Sequence, residues 1–251
     1  MKNADELQNL TKAELIEAYN QVNNSLERVF SITSHDLRSP FSGLLGLSEM
    51  LASGSESISP EALQEYHSAM RDSLKNTFQL LENLFEWGQI ERGKYNKTIE
   101  SIPLKIAIDE VLESLGTQVQ DKEIEVVHKY DPEQIIESNS KMFEFVMKNF
   151  ILNAVKFSER GSRVEITCHA EKSRAAVSVK DYGIGISEEN INKLFSTNVN
   201  WRIHGTEGEN GTGLGLLASS RYADYFGAEL SVESTPGIGS TFTIILSADL
   251  S

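Results

Sequence analysis

A chain of 251 residues, 39% hydrophobic and 24% charged, has ordinary globular composition and enough length for one large or two small packed domains. Its formal net charge of −14 argues against a nucleic-acid partner, which needs Lys and Arg gathered on one face, and reads as a solvated acidic surface. One cysteine, Cys168, permits no intrachain disulfide and suits a reducing compartment; no stretch approaches a membrane span and the N-terminus lacks an apolar signal core, so no membrane contact by this chain is expected.

A first helix is predicted to begin near Ala4 or Thr11. Its residues Leu15, Tyr19, Val22, Leu26, Val29 and Thr33 alternate spacings of four and three, the pattern of a coiled-coil seam. The seam skips once through Leu37 and resumes at Pro40, Leu44, Leu47 and Leu51. Such an inserted step locally unwinds a coiled coil. It falls beside His35, which lies two residues from both Thr33 and Leu37 and so points off the seam toward solvent. Pro40 removes the amide that would bond the Asp36 carbonyl and imposes a bend next to the histidine.

After a turn at residues 53–59, Ser59 reads as an N-cap and Pro60 as the first position of a second helix running to Glu91. On it Leu63, Met70, Leu74, Thr77, Leu81 and Leu84 form a stripe that Phe78 and Phe85 widen. Two antiparallel helices cannot bury such stripes alone. Pairing two hairpins about a twofold axis makes a four-helix bundle, so a homodimer is expected.

Arg92 to Lys97 end that helix with cations and a glycine and mark the expected boundary between a helical domain, 1–95, and a second domain, 96–251. The predicted order beyond it is a strand at 98–102, a helix at 104–120, strands at 123–129 and 134–138, and a helix at 140–157. Strands at 163–170 and 175–181, an irregular stretch, a helix at 214–226 and strands at 229–234 and 240–246 follow. Helices before and between antiparallel strands give an α+β chain whose second domain is a two-layer α/β sandwich.

Four clusters carry candidate chemistry. Ser34-His35-Asp36-Leu37-Arg38-Ser39-Pro40 sets one imidazole beside a carboxylate, which suits a phosphoryl acceptor because neutral imidazole is a competent nucleophile near neutral pH. Asn149, Asn153 and Lys156, four and three apart, share one helix face; an amide oxygen suits Mg²⁺ and an ammonium suits phosphate, although a plain polar helix face accounts for most such triplets seen in isolation. Asp181 ends an apolar strand ahead of Gly183 and Gly185, which permit close approach by a ligand; alone, this is also the signature of a turn. Gly211, Gly213 and Gly215 open the helix at Leu214, an anion site or a flexible joint. The spacing of the last glycine and the lack of a short βαβ unit disfavour a dinucleotide fingerprint, and there is no P-loop.

Together and in this order, the Ser34–Pro40 stretch, Asn149–Phe157, Asp181–Gly185 and Gly211–Leu216 resemble the phosphoacceptor helix and the N, G1 and G2 boxes of the sensor histidine kinases, from near Ser25 to the C-terminus. The resemblance implies a dimeric four-helix bundle followed by a Bergerat-type ATP-binding domain. It implies that His35 takes the γ-phosphoryl group of ATP while Asp36 holds the opposite ring nitrogen and accepts its proton. Asn153 would coordinate Mg²⁺, Asn149 would support it, and Lys156 and the amides at Gly211, Gly213 and Gly215 would meet phosphate. Asp181 would accept a hydrogen bond from the adenine amine, with Thr241 nearby, and the stretch between Phe195 and Gly211, including Arg202, would form a mobile lid over ATP. The phosphoryl group would pass to an aspartate of a response regulator.

Such kinases usually carry an input domain, often membrane-linked, so a cytoplasmic position within a longer sensor is the expectation. Ser39 stands where relatives that also dephosphorylate their regulator carry Thr or Asn, which leaves phosphatase activity open. An idle dimeric scaffold and an ATPase of the chaperone or topoisomerase kind are the rival readings; the second has no need of the His35 helix.

Overall fold

The computed structural model describes residues 11–12, 16, 37–38, 40–53, 58–92, 98–171, 174–191, 193–194, 204–209 and 214–247. They belong to two units, Met1–Gly93 and Lys94–Ser251. No helix among the described residues is long and apolar enough to cross a membrane.

In the first unit, residues 40–53 form helix α1 and Pro60–Glu91 form helix α2. Pro40, Leu44, Leu47 and Leu51 are all half-buried, as the resumed seam requires; its earlier part, Leu15 to Thr33, lies outside the described residues. The start of α2 follows from local chemistry. Ser59 is extended (φ −67°, ψ 153°), its Oγ accepts the Ala62 amide at 3.2 Å, and Pro60 fills a position where no amide is needed. Along α2, Thr77, Leu80, Asn83, Trp87 and Ile90 are buried. Leu74, Phe78, Leu81 and Phe85, which belong to the predicted stripe, stand exposed by 43 to 64% in the single chain.

The second unit opens with β1 (Glu100–Pro103) and α3 (Leu104–Asp121), followed by β2 (Glu125–Lys129), β3 (Ile135–Ser138) and α4 (Ser140–Phe157). Then come β4 (Arg163–Glu171), β5 (Arg174–Asp181), the single turn α5 (Glu188–Ile191), α6 (Leu214–Phe226), β6 (Glu229–Thr235) and β7 (Gly239–Ser247). β1 and β3 pair as a two-stranded ribbon, and the other strands form a five-stranded sheet in the order β2-β4-β5-β7-β6. Two features depart from expectation. β2 and β4 pair in parallel rather than antiparallel, and α5 lies in a stretch that carries no helical period.

One face of the sheet is covered and the other is not, as period-two alternation in β5 and β7 shows. Val164, Ile166, Val177, Val179, Phe242, Ile244 and Leu246 point to the covered face and are buried. Helix α4 lies at its centre, packed on α3, α6 and β5. Asn139 caps it by accepting the Met142 amide at 3.1 Å while donating to the Thr98 carbonyl at 3.0 Å. Phe143, Val146, Met147, Phe150 and Ile151 are fully buried, each side chain stabilising the fold by about 1.5 to 3 kcal/mol. Phe150 meets Phe242 at 5.5 Å between ring centroids and Phe145 stacks on Tyr222 at 4.9 Å, which fixes α4 against both sheet and α6.

Candidate functional site

The C-terminal end of β5 delivers Asp181 to the covered face, where the carboxylate is only 2% exposed. Its Oδ1 accepts two backbone amides, from Gly183 at 2.9 Å and from Ser240 at 3.1 Å. Burial pushes the carboxyl above its usual range despite the opposing pull of those amides. A buried anion held by backbone donors on one oxygen is equipped to accept a hydrogen bond from a ligand.

Three backbone segments converge on Asp181 at distances only glycine permits. A Cβ at Gly183 would lie 2.0 Å from the Phe157 carbonyl oxygen, at Gly185 2.1 Å from the Thr235 oxygen, and at Gly239 2.1 Å from the oxygen of Asp181 itself. The Phe157 carbonyl also accepts the Ile184 amide at 3.2 Å, and Ile184 accepts from Gly237 at 2.8 Å. The space at Gly183 and Gly185, expected to admit a ligand, is thus filled by neighbouring backbone. These glycines join the end of α4 and the β6–β7 turn to the loop after β5.

Asn149, Asn153 and Lys156 follow one another along α4 without being equivalent. Asn149 is buried and its Nδ2 donates to the Phe145 carbonyl at 2.9 Å, whereas Asn153 and Lys156 are half-buried. Burial pushes the Lys156 ammonium down to about 8; Glu209 opposes this and Lys122 adds to it. Residues 204–209 fold onto this end of α4: Thr206 donates its amide to the Lys156 carbonyl at 3.2 Å and its hydroxyl to the Ser158 carbonyl at 2.6 Å. Described residues of the predicted lid are therefore anchored at its C-terminal side.

Gly215 sits in the first turn of α6. Thr241 lies opposite Lys180 in the β5–β7 register, on the other face of the sheet from Asp181. The residue set beside Asp181 is Ser240, whose hydroxyl also bonds that of Ser234 at 3.0 Å. The period of β7 held the signal, because Phe242, Ile244 and Leu246 are its inward residues and Ser240 shares their phase. His35, Asp36, Ser39, Arg202, Gly211 and Gly213 lie outside the described residues. Nothing local in the sequence links Lys122 and Glu209, which the fold brings together.

Residues 25–93 match the family described as "His Kinase A (phospho-acceptor) domain" and residues 138–250 that described as "Histidine kinase-, DNA gyrase B-, and HSP90-like ATPase". Hybrid signal transduction histidine kinase L of Dictyostelium discoideum is 30% identical over 86% of this chain. The chain spans 13 to 44% of the length of the curated relatives that include it. Among solved structures, the histidine kinase AdeS of Acinetobacter baumannii is similar with a TM-score of 0.66 at 19% identity, over 86% of this chain and 98% of AdeS. Histidine kinase ThkA, solved in complex with the response regulator protein TrrA, is similar with a TM-score of 0.65 at 18% identity, over 96% of this chain and 68% of ThkA; both likenesses are of fold. With both family domains present in the order expected, this chain carries the catalytic core of the sensor histidine kinases.

Proposed function

We propose that this chain is an ATP-dependent histidine kinase core that phosphorylates its own His35 and passes the phosphoryl group to an aspartate of a response regulator. The observation that carries the reading is the buried Asp181 carboxylate with both backbone donors on Oδ1, an acceptor suited to the exocyclic amine of adenine. Ser240 lies beside it on the same face, and Gly183, Gly185 and Gly239 hold the surrounding backbone. On α4, Lys156 meets the phosphates together with backbone amides at Gly211, Gly213 and Gly215.

The lone pair of one His35 ring nitrogen forms a bond to the γ-phosphorus while the bond from that phosphorus to the β–γ bridging oxygen breaks. ADP departs with the electron pair. The proton on the opposite ring nitrogen is held by Asp36. Lys156 is matched to the charge that gathers on the phosphoryl oxygens. Asn153 offers Mg²⁺ a hard amide oxygen. Mg²⁺ keeps several waters and binds mainly through phosphates, so a single protein oxygen is enough to place it. Bound there, Mg²⁺ would neutralise phosphate charge.

The test is incubation of the chain with Mg²⁺ and γ-labelled ATP beside His35→Gln. Acid-labile, base-stable label on the parent and none on the variant is the expected result. Label retained by the variant removes His35 as acceptor. Absence of label on both, with ATP still bound, returns the chain to the idle-scaffold reading. Transfer to an aspartate is proposed partly because ThkA is seen with a response regulator.

The chain is proposed to act as a homodimer through α1 and α2. The support is the exposed stripe of Leu74, Phe78, Leu81 and Phe85, with Phe41 and Leu45 on α1, large apolar side chains that a partner hairpin would cover. Sedimentation of the full chain is expected to give a dimer, and Phe78→Glu with Phe85→Glu to give a monomer. A dimer unaffected by both charges would place the interface elsewhere.

A further inference from the structure

We infer that Glu209, held by the buried Lys122, is a positioning residue for nucleotide phosphates because it fixes and balances Lys156. The inference rests on the reading of Lys156 as a phosphate contact and adds two residues that act through it.

Lys122 caps the C-terminus of α3 and its side chain is 4% exposed. A buried ammonium needs partners to offset lost hydration, and this one has two: it donates to the Lys156 carbonyl at 2.8 Å and to Glu209 Oε1 at 2.6 Å. The other Glu209 oxygen accepts the Glu207 amide at 2.8 Å, and the Glu209 carbonyl accepts the Gly205 amide at 2.8 Å. Both carboxylate oxygens are therefore engaged, and the turn that carries them is closed. Arg160 ties the same turn from outside by its ion pair to Glu207 at 2.9 Å.

Lys156 adjoins this anchored carboxylate. A Cβ built on Gly205 would lie 2.1 Å from Glu209 Oε2 and 2.7 Å from Lys156 Cγ, so the carboxylate and the lysine stem flank one glycine. The Lys156 ammonium lies over the Phe157 ring, 4.7 Å from its centroid, and among the described residues the charges that act on it are Glu209, on the 204–209 turn, and Lys122, at the end of α3. Without Glu209 the influence of the Lys122 charge on Lys156 is no longer opposed by that carboxylate, which favours loss of the Lys156 proton or its movement away. Since both oxygens of Glu209 are already bonded, it acts as a fixed counter-charge and not as a plug that phosphate displaces. A purely structural anchor would matter equally to nucleoside and nucleotide. A counter-charge for Lys156 matters only where phosphate is present.

Calorimetry on the full chain with MgATP and with adenosine tests the inference, using Glu209→Gln, Glu209→Asp, Lys156→Met and the double variant. Glu209→Gln is expected to weaken ATP about tenfold, the worth of one displaced protonation or one misplaced charge, and to leave adenosine unchanged. Glu209→Asp should recover part of the loss, and Glu209→Gln should add nothing to Lys156→Met. Equal weakening of adenosine, unchanged or tighter ATP binding in Glu209→Gln, or full additivity with Lys156→Met would overturn it. If Lys156→Met itself leaves ATP binding unaltered, the phosphate reading of Lys156 fails and takes this inference with it. A failure of the inference alone shows as a weakened Lys156→Met beside a neutral Glu209→Gln.

Discussion

Gly183→Ala is expected to destabilise the second domain by about 3 kcal/mol, the upper part of the range for forcing extra atoms into packed structure. The added Cβ would meet the Phe157 oxygen at 2.0 Å, the Phe157 carbonyl carbon at 2.6 Å and the Ser158 nitrogen at 3.1 Å. All three are backbone atoms and cannot turn aside as a side chain would. Moving them displaces the C-terminus of α4, the Ile184 amide bonded to Phe157 and the Gly183 amide that holds Asp181. Urea unfolding should show the lower midpoint, and ATP affinity should fall with it. Gly88→Ala is the contrasting case. Gly88 lies inside α2 with nothing within 4 Å of an added Cβ, so alanine should stabilise that helix by about 0.5 to 1 kcal/mol. A Gly183→Ala protein as stable as its parent would show that the loop after β5 has room to retreat.

Asp181→Asn is expected to weaken ATP binding about a hundredfold while raising stability at neutral pH. The amide oxygen can still accept from Gly183 and Ser240, which turns the amide nitrogen, a donor, toward the place where an adenine amine also donates. The stability change has the opposite sign because burial raises the Asp181 pKa. In the folded state the group binds its proton more tightly than in the unfolded chain. Its contribution therefore favours folding most at low pH, and it declines as pH rises from the ordinary carboxylate range through the raised folded value. At neutral pH the parent bears the cost of a buried charge that asparagine does not impose, a common relation between a binding site and stability. Calorimetry for ATP and urea unfolding at pH 4 and pH 7 check the two halves. The parent should lose stability relative to Asn as pH rises. Unchanged ATP affinity would remove Asp181 as the adenine contact, and a stability difference independent of pH would show that the carboxylate is not the source.

The helical boundaries were legible because their causes are local. Ser59 and Pro60 begin α2, Asn139 caps the helix predicted from Ser140 to Phe157, and the 3.6-residue apolar period of α4 needed nothing distant to define it. The alternation in β5 and β7 likewise placed both strands within two residues. Motifs with fixed spacing were legible for the same reason, since Asn149, Asn153 and Lys156 share a helix and Asp181 precedes its glycines by two and four positions.

The amino-acid sequence by itself therefore determined the order and type of nearly every element of the second domain, the apolar stripe of α2, and the motifs that identify the family. The tertiary structure alone decided that β2 joins β4 in parallel and that Gly183 and Gly185 admit backbone. It alone brought Lys122 to Glu209, 87 positions further along the chain. The physical reason is common to all three. Each depends on which strands pair and on how closely α4, the loop after β5 and the 204–209 turn pack, contacts whose partners are remote in sequence and leave no local period to read.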